Sequence, residues 1–499
     1  MNNTKDLKIK KFLSIAGYVI IAALLVISII FMVNITRMNI LKNAYLVILW
    51  ILLMVEVIIY ALLQRWLVSG IVTKIIAIAV MVVLILGNRY INATRNTIDK
   101  ITDVTTKEDN INLYVLKEDS ATGYDDICKE LIGILKVNDR EHVDRYLEDI
   151  SKQTGTQIAT SEYEDIQLLI DALIAGEVRA VIVNEAYFGI LAGVEGCENI
   201  ENELKIIDKK TIHTEIETAP EKETNPYDEY KDYLYGGEDV FTMYISGIDT
   251  NGLPTVNRNS DVNILMVVNT KTRQILTINT PRDFYVELPY SISKGEKDKL
   301  THAGCYGVDV SVETLEMLYG IKIDYYLKIN FDGFVQIIDS LGGIDVYSEY
   351  EFTVDPIKTY VVGNNHLNGI EALAFARERH SFTSGDRQRG VNQMAVIKSV
   401  INKMASSDML LNYTDVLAAL GNCMITSMSY DKMVDLIKFQ LSDMRGWNVV
   451  AYSVNGSGDK LPCFSLKSSN YVMIPFEETV EQAKQYLATI YSNNVVTIG

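Results

Sequence analysis

Apolar residues open this chain in three blocks: Phe12–Val33 with no charged side chain, Ala44–Leu63 interrupted by Glu56, and Ile71–Leu86 interrupted by Lys74. The first two reach the roughly 20 residues needed to cross a hydrocarbon core, and the third does so when counted from Trp66. Three blocks in tandem, joined by loops of about ten residues, predict membrane-spanning helices rather than buried helices of a soluble core. Beyond residue 100 the pattern changes. Ile111–Leu116 and Val178–Val183 read as strands, Asp139–Thr154 and Glu164–Ile174 as helices, the second ending at Gly176. Residues 105–215 are therefore expected to form a small accessory α/β domain. Residues 216–240 turn acidic and hold Pro220, Pro226, Gly236 and Gly237, the mark of a linker.

From Phe241 the pattern changes again. Val262–Asn269 and Gln274–Asn279 flank the polar turn Thr270–Arg273 and predict a hairpin. Val310–Leu318 predicts a helix ending at Gly320, Tyr325–Asn330 a strand, Phe331–Leu341 a helix closed by Gly342 and Gly343, and Ile344–Tyr347 a strand. A long helix follows Asp386, and a strand covers Trp447–Val454. Strands alternating with helices predict an α/β (α+β) domain over residues 241–499, a central mixed sheet flanked by helices.

Charge adds orientation. The 499-residue chain totals −18, yet residues 1–95 carry ten Lys/Arg against two Asp/Glu, a net of +8 that leaves −26 for the remainder. An acidic body on a basic apolar head argues against nucleic acid as a partner, because a duplex would repel it. Lys5, Lys8, Lys10 and Lys11 precede the first block, Arg65 and Lys74 flank the second loop, and only Arg37 and Lys42 lie in the first. The positive-inside rule then places the N-terminus in the cytoplasm and residues 90–499 outside the cell membrane. The first block lacks a small-residue cleavage site and reads as retained. Glu56, mid-span, is either functional or hydrogen-bonded to a neighbouring helix. Five cysteines without a CxxC or Cys/His cluster argue against a zinc site or a disulfide scaffold. Cys423 and Cys463 flank the last stretch of the domain and either pair in an oxidising compartment or, the count being odd, stay free with Cys128, Cys197 and Cys305.

The candidate chemistry is acidic and cationic. Asp249 ends the apolar segment Phe241–Ile248, and Asp261 opens the next strand. Two carboxylates at strand edges suit a hard dication that keeps several waters and binds phosphate oxygens; turn-forming aspartates are the other reading. Arg282, in Thr280-Pro281-Arg282-Asp283, projects from a rigid bend or else pairs with Asp283. Asn368-Gly369-Ile370-Glu371 resembles a capping box that starts a helix through Ile370–Phe375. A helix ending just before Arg377-Glu378-Arg379 would turn both guanidiniums to one side, a fork suited to phosphate. On a helix capped by Asp386, Arg389 and Gln393 follow at spacings of three and four along one face, with Arg387 on another and Val396, Val400 and Met404 packed inward. His302, His366 and His380 lack a GxSxG-type elbow, and there is no Walker A sequence. The set fits a pyrophosphate clamp with a metal.

Phe241–Asp249, Asn259-Ser260-Asp261, Thr280-Pro281-Arg282-Asp283, Asp298-Lys299-Leu300-Thr301-His302-Ala303-Gly304, Asp339-Ser340-Leu341-Gly342-Gly343, Phe375-Ala376-Arg377-Glu378-Arg379 and Asp386-Arg387-Gln388-Arg389 together resemble the LytR-CpsA-Psr family, with core motifs in order over residues 241–406. Three spans and an accessory domain are similar to its CpsA branch, linked to capsular polysaccharide. The resemblance implies an extracytoplasmic phosphotransferase. It would move a capsular or wall glycopolymer from a polyprenyl-pyrophosphate carrier onto peptidoglycan with Mg²⁺, Mn²⁺ being the alternative ion. It implies Asp249 and Asp261 as metal ligands and catalytic residues. Arg282, Arg377 and Arg379 would be catalytic and, with Asp386, Arg387, Arg389 and Gln393, substrate-binding. Some members carry an arginine two places before the second aspartate, where this chain has Asn259; Arg258 is the available substitute. Helices Val310–Leu318 and Phe334–Leu341 would either wall a slot for the polyprenyl tail or pack as ordinary core. The competing functions are a polyprenyl-pyrophosphate phosphatase and a non-enzymatic regulator or scaffold that binds the same lipid with capsule export or regulatory proteins as partners.

Overall fold

The computed structural model describes every residue except 1, 42, 103–105, 137, 138, 192, 195, 198, 199, 216–232, 235, 251–253, 384, 407–412 and 499, so most of the expected acidic linker lies outside the described residues. The described chain forms two compact units.

The first unit holds helices Asn2–Met38, Asn43–Leu63 and Leu67–Thr102, each long and apolar enough to cross a membrane. Their facing sides interlock through Leu24, Met32, Leu46, Leu53, Ala77 and Leu84. Asn34 Nδ2 donates to Asn88 Oδ1 at 2.9 Å, and Gln64 Nε2 to Thr73 Oγ1 at 2.8 Å, the polar contacts that join helices where lipid tails offer no partner. The outer sides are also apolar. Val68, Ile75 and Val83 are 76%, 65% and 66% exposed, a surface suited to lipid rather than water. Glu56 sits half-buried in the second of these helices, one turn before Tyr60. Residues 413–421 and 428–445, expected in the outer domain, cluster in this unit, where Thr97 Oγ1 donates to the Leu417 carbonyl.

The second unit begins with a five-stranded sheet: β1 (Thr106–Leu116), β2 (Leu131–Leu135), β3 (Ala159–Tyr163), β4 (Ala180–Asn184) and β5 (Leu204–Glu215), in the order β3-β2-β4-β1-β5. Helix Arg140–Thr154 covers one face, burying Val143, Tyr146 and Ile150 against Ile111, Leu113 and Ile132. Helix Ile166–Ile174 covers the other. Its N-cap, Asp165, accepts from Leu168 N, which is why it starts two residues later than expected. That second core does not stop at the lobe: Tyr114, Leu135, Leu169 and Val181 share it with Cys305, Cys463, Leu466 and Val472.

The larger sheet uses β6 (Val240–Ile248), β7 (Val262–Asn269) and β8 (Gln274–Asn279), then β11 (Tyr325–Asn330), β16 (Met424–Thr426) and β17 (Asn448–Ser453). Between them run the ribbon β9 (Tyr285–Glu287) with β10 (Lys297–Lys299), the pair β12 (Ile344–Ser348) with β15 (Gly363–Leu367), and the hairpin β13 (Phe352–Val354) with β14 (Lys358–Tyr360). A last hairpin joins β18 (Gly456–Pro462) and β19 (Ser469–Pro475). The six-strand order is β16-β11-β6-β7-β8-β17. β6 is parallel to β11 and β8 to β17, while β7 is antiparallel to both neighbours. The sheet is therefore mixed, with β6, β8, β11 and β17 running one way. Helices Val308–Tyr319 and Glu477–Tyr491 close over Leu265, Leu276 and Ile278. Helices Phe331–Ser340, Gly369–Arg377 and Asp386–Met404 meet around Ile338, Phe375 and Val396.

Candidate active site

Four carboxyl ends of parallel strands and the amino end of β7 share one edge of the larger sheet. In the register Gly247 stands opposite both Val262 and Ile329, and Ile264 opposite Asn279. Asp249 follows β6, Asp261 precedes β7, Arg282 follows β8 after a proline bend, and Phe331 follows β11. Ligands of such sheets bind beyond the carboxyl ends of the strands, where loops carry side chains that the sheet itself does not need. The Asp261 N–H donates to the Gly247 carbonyl at 2.9 Å, and the Thr280 N–H to the Asn263 carbonyl at 2.9 Å, so both loops leave the edge in fixed directions. Gly247 is required here. A Cβ would stand 2.9 Å from Val262 Cβ and 3.4 Å from the Phe331 ring.

Arg282 Nη1 donates to Asp261 Oδ1 at 2.5 Å, the two side chains being 27% and 25% exposed. The expected pairing of Arg282 with Asp283 is the long contact: Arg282 Nε lies 3.9 Å from Asp283, which also has Lys299 Nζ at 3.7 Å, and the short partner, Asp261, was not foreseen. Helix Leu300–Tyr306 braces the pair from behind: the Thr301 N–H donates to the Arg282 carbonyl at 2.8 Å, and the Thr301 carbonyl accepts from Ser260 N–H at 3.1 Å. That helix is locked in turn by a buried cluster. Asp298 Oδ1 meets His302 Nδ1 at 2.7 Å, Asp298 Oδ2 accepts from Ser465 N–H at 2.8 Å, and Ser465 Oγ lies 2.8 Å from the same His302 nitrogen. Burial works against the Asp298 charge, but His302 and Ser465 outweigh it and hold the carboxyl below the ordinary range.

The capping box forms as expected: Glu371 N–H donates to Asn368 Oδ1 at 2.9 Å, and Asn368 N–H to Glu371 Oε2 at 3.0 Å. The helix does not stop before Arg377 but includes it, because Glu378 N–H still reaches the Ala374 carbonyl at 3.0 Å; the extended residue is Glu378. Arg377 and Arg379 consequently have different neighbours. The Arg377 guanidinium lies 4.9 Å over the Phe331 ring, which brings it to the sheet edge. Arg379 Nε donates to His380 Nε2 at 3.3 Å, and both are exposed.

Asp386 is the first helical residue rather than the cap, a place taken by Gly385 at φ 47°. Arg387 is exposed, Arg389 half-buried and Gln393 buried. Gly390 lets their turn approach β8, since a Cβ there would lie 2.2 Å from Asn279 Nδ2. Asn392 Nδ2 donates to the Phe375 carbonyl, tying the helix to the one that bears Arg377. Val396 packs into the core, with Val400 against it.

Phe331, Asn279 and Gly390 were not singled out from the sequence. The available signal was an aromatic residue directly after Asn330 at a strand-to-helix junction. Arg258 is not a substitute at this edge: its guanidinium is held by Glu185 and Glu201 of the accessory lobe. Leu315, Ile337 and Ile338 are buried in core clusters or helix faces, which favours the ordinary-core reading of those helices. All five cysteines are buried thiols, so Cys423 and Cys463 form no disulfide. Cys423 packs on Gly333, whereas Cys463 lies in the core shared with the lobe, where burial and Asp298 push its thiol up to about 12. Among the described residues no three His, Cys, Asp or Glu side chains form a cation cage. At the edge Asp249 is exposed and Asp261 has one oxygen on Arg282; carboxylate oxygens of this kind are the donor type that a hard divalent ion takes.

The sequence model described as the LytR_cpsA_psr family matches residues 205–487. A polyisoprenyl-teichoic acid–peptidoglycan teichoic acid transferase TagU of Bacillus cereus is 40% identical over 180 residues, 36% of this chain and 58% of the relative's length. The protein of the same name from Bacillus licheniformis is 33% identical over 224 residues, 45% of this chain and 71% of that relative. The crystal structure of B. subtilis TagU is 28% identical, with a TM-score of 0.40, covering 52% of this chain and 100% of that one.

Proposed function

This chain belongs to the LytR-CpsA-Psr family, and from that premise we propose that it is a membrane-anchored phosphotransferase that moves a capsular or wall glycopolymer from a polyprenyl-pyrophosphate carrier onto peptidoglycan. The observation that carries the reading is the Asp261–Arg282 pair at the carboxyl edge of the sheet, with Asp249 on the same edge and Arg377 brought to it by Phe331. A pyrophosphate needs cations spread around it and little covalent help, and this edge supplies cations from three separate elements. Arg282, Arg377, Arg379, Arg389 and Gln393 are the groups we assign to the pyrophosphate, with Arg387 and Asp386 as further substrate-binding residues. Asp249 and Asp261 would hold Mg²⁺ or Mn²⁺, which when bound neutralises charge on phosphate oxygens.

In the transfer, a hydroxyl oxygen of a wall sugar attacks the phosphorus nearest the glycan. A new P–O bond joins the glycan phosphate to the wall, the bond to the bridging oxygen breaks, and polyprenyl phosphate leaves. The hydroxyl proton passes to a carboxylate or to water. With the N-terminus cytoplasmic, the three spans hold the outer unit beside its lipid substrate and raise the effective concentration.

The test is to incubate the full chain with lipid-linked oligosaccharide, Mg²⁺ and peptidoglycan fragments. A phosphodiester-linked wall adduct that disappears in Asp261→Ala and Arg377→Ala supports the reading. Free phosphorylated glycan without an adduct makes the protein a phosphatase. Lipid binding without turnover makes it a scaffold.

A further inference from the structure

Among the described residues the accessory lobe holds no metal-ligating cluster, yet it grips the backbone that leads into Asp261. The contacts are consecutive. Glu108 N–H of β1 donates to the Thr255 carbonyl, and Glu108 forms a bridge with Val256. Asn257 Nδ2 donates to Asp109 Oδ1 at 2.9 Å, an oxygen that also accepts from Asn184 Nδ2 at 3.2 Å. Arg258 Nη2 donates to Glu185 Oε1 at 2.5 Å, and its Nη1 lies 3.4 Å from Glu201 Oε1. Asn259 Nδ2 donates to the Gly189 carbonyl at 2.7 Å. The seam is closely packed: the space between Glu108, Glu185, Val256 and Arg258 is about 10 Å³, room for one water at most.

On its other side the same segment is pressed against the catalytic half. Lys328 Nζ of β11 donates to the Val256 carbonyl at 2.6 Å. Cys305 Sγ donates to Asn259 Oδ1 at 2.8 Å, and a Cβ on Gly304 would lie 2.5 Å from the Arg258 carbonyl. The next residue, Ser260, is fully buried and bonded to Ser246 Oγ and Tyr244 Oη of β6. Only then does the chain emerge as Asp261 onto Arg282.

We infer that the accessory lobe is a working part of the active site: it sets the place of Asp261 through residues 255–259, with Arg258 as the positioning residue clamped by Glu185 and Glu201. The inference rests on the transferase reading above for its kinetic consequence, but not for its mechanical one. A 1 Å displacement of a charged group can cost a hundredfold in rate, so a clamp of this kind acts on turnover rather than on substrate affinity.

The test uses the full chain in detergent micelles with Arg258→Gln, the conservative Arg258→Lys, and the double change Glu185→Gln with Glu201→Gln. Arg258→Gln and the glutamate double variant are each expected to lower kcat about tenfold with KM unchanged within about twofold, and Arg258→Lys, which keeps the charge, to retain most of the activity. Amide exchange of the peptide spanning residues 254–262 should quicken in the first two variants and stay close to wild type in Arg258→Lys, with exchange in β1 and β8 unchanged. An unaltered kcat in Arg258→Gln, or a loss in Arg258→Lys as large as in Arg258→Gln, overturns the inference. If the wild-type protein shows no transfer at all, the functional reading fails by itself. The exchange result then decides the positioning role: faster exchange confined to 254–262 supports it, and unchanged exchange overturns it.

Discussion

The Arg377 guanidinium lies 4.9 Å above the ring of Phe331, so a residue at the end of one helix is held by the first residue of another. Arg377 is exposed, and a cation over an aromatic face in such a setting is worth about 0.5–1 kcal/mol. Phe331→Leu keeps the apolar contact and removes the attraction. We expect KM for lipid-linked oligosaccharide to rise about two- to fivefold with kcat little changed, read from initial rates over substrate concentration. Arg377→Ala should cost far more, since it removes the charge itself.

Arg282 and Asp261 should separate stability from activity. Their side chains keep about a quarter of their surface in water, so the pair adds about 1 kcal/mol or less to folding. Arg282→Ala is expected to shift the melting temperature by only a few degrees while lowering transfer by about a hundredfold or more, the usual cost of losing a group aimed at developing charge. Asp261→Asn should behave alike, and the double variant should lose little beyond either single change.

Gly390 gives an inverted result. In a helix interior, Gly→Ala ordinarily gains about 1 kcal/mol. Here the new methyl would meet Asn279 Nδ2 at 2.2 Å and push the turn bearing Arg389 and Gln393 away from β8. The expected outcome of Gly390→Ala is a melting temperature close to wild type with transfer reduced about tenfold, a trade typical of functional sites. A gain in both quantities would show that this turn has no bearing on the site.

Asp298 predicts acid sensitivity. Its carboxyl is held below the ordinary range despite burial, by His302 and Ser465. A carboxylate lowered in the folded state contributes stability that is complete above the unfolded value of about 3.9 and is lost as pH falls through the lower folded value. Thermal unfolding should therefore become easier as pH drops below about 4. Asp298→Asn should be less stable at neutral pH and flatter across that window. Equal slopes in the two proteins would remove Asp298 from the account.

The cysteines offer a direct check. All five are buried thiols, so unfolding without reductant should expose five reactive groups per chain, and reduction should leave the mass unchanged. A Cys423–Cys463 bridge would consume two of them.

Much of this arrangement was readable from local pattern. The hairpin around Thr270–Arg273, the box of Asn368 with Glu371 and the helix stops at Gly320 and Gly342 follow from side chains acting on their own neighbourhood, and the structure keeps them. Asp249 and Asp261 could be placed at strand edges for the same reason. What the pattern did not reveal depends on residues far apart in sequence. The order β16-β11-β6-β7-β8-β17 pairs β8 with a strand about 170 residues later. Arg258 had no local sign that two glutamates of the lobe would hold it. The one-residue extension through Arg377 turned on a single backbone hydrogen bond from Glu378, below the resolution of any spacing argument.

The apolar interior that Tyr114, Leu135 and Val181 hold in common with Cys305, Leu466 and Val472 governs how the molecule can be dissected. A cut near residue 240 would strip the wall from that interior and leave an oily scar on each fragment. Neither piece would be a fair stand-in for the intact protein, and a chimera would have to import both banks of the seam together.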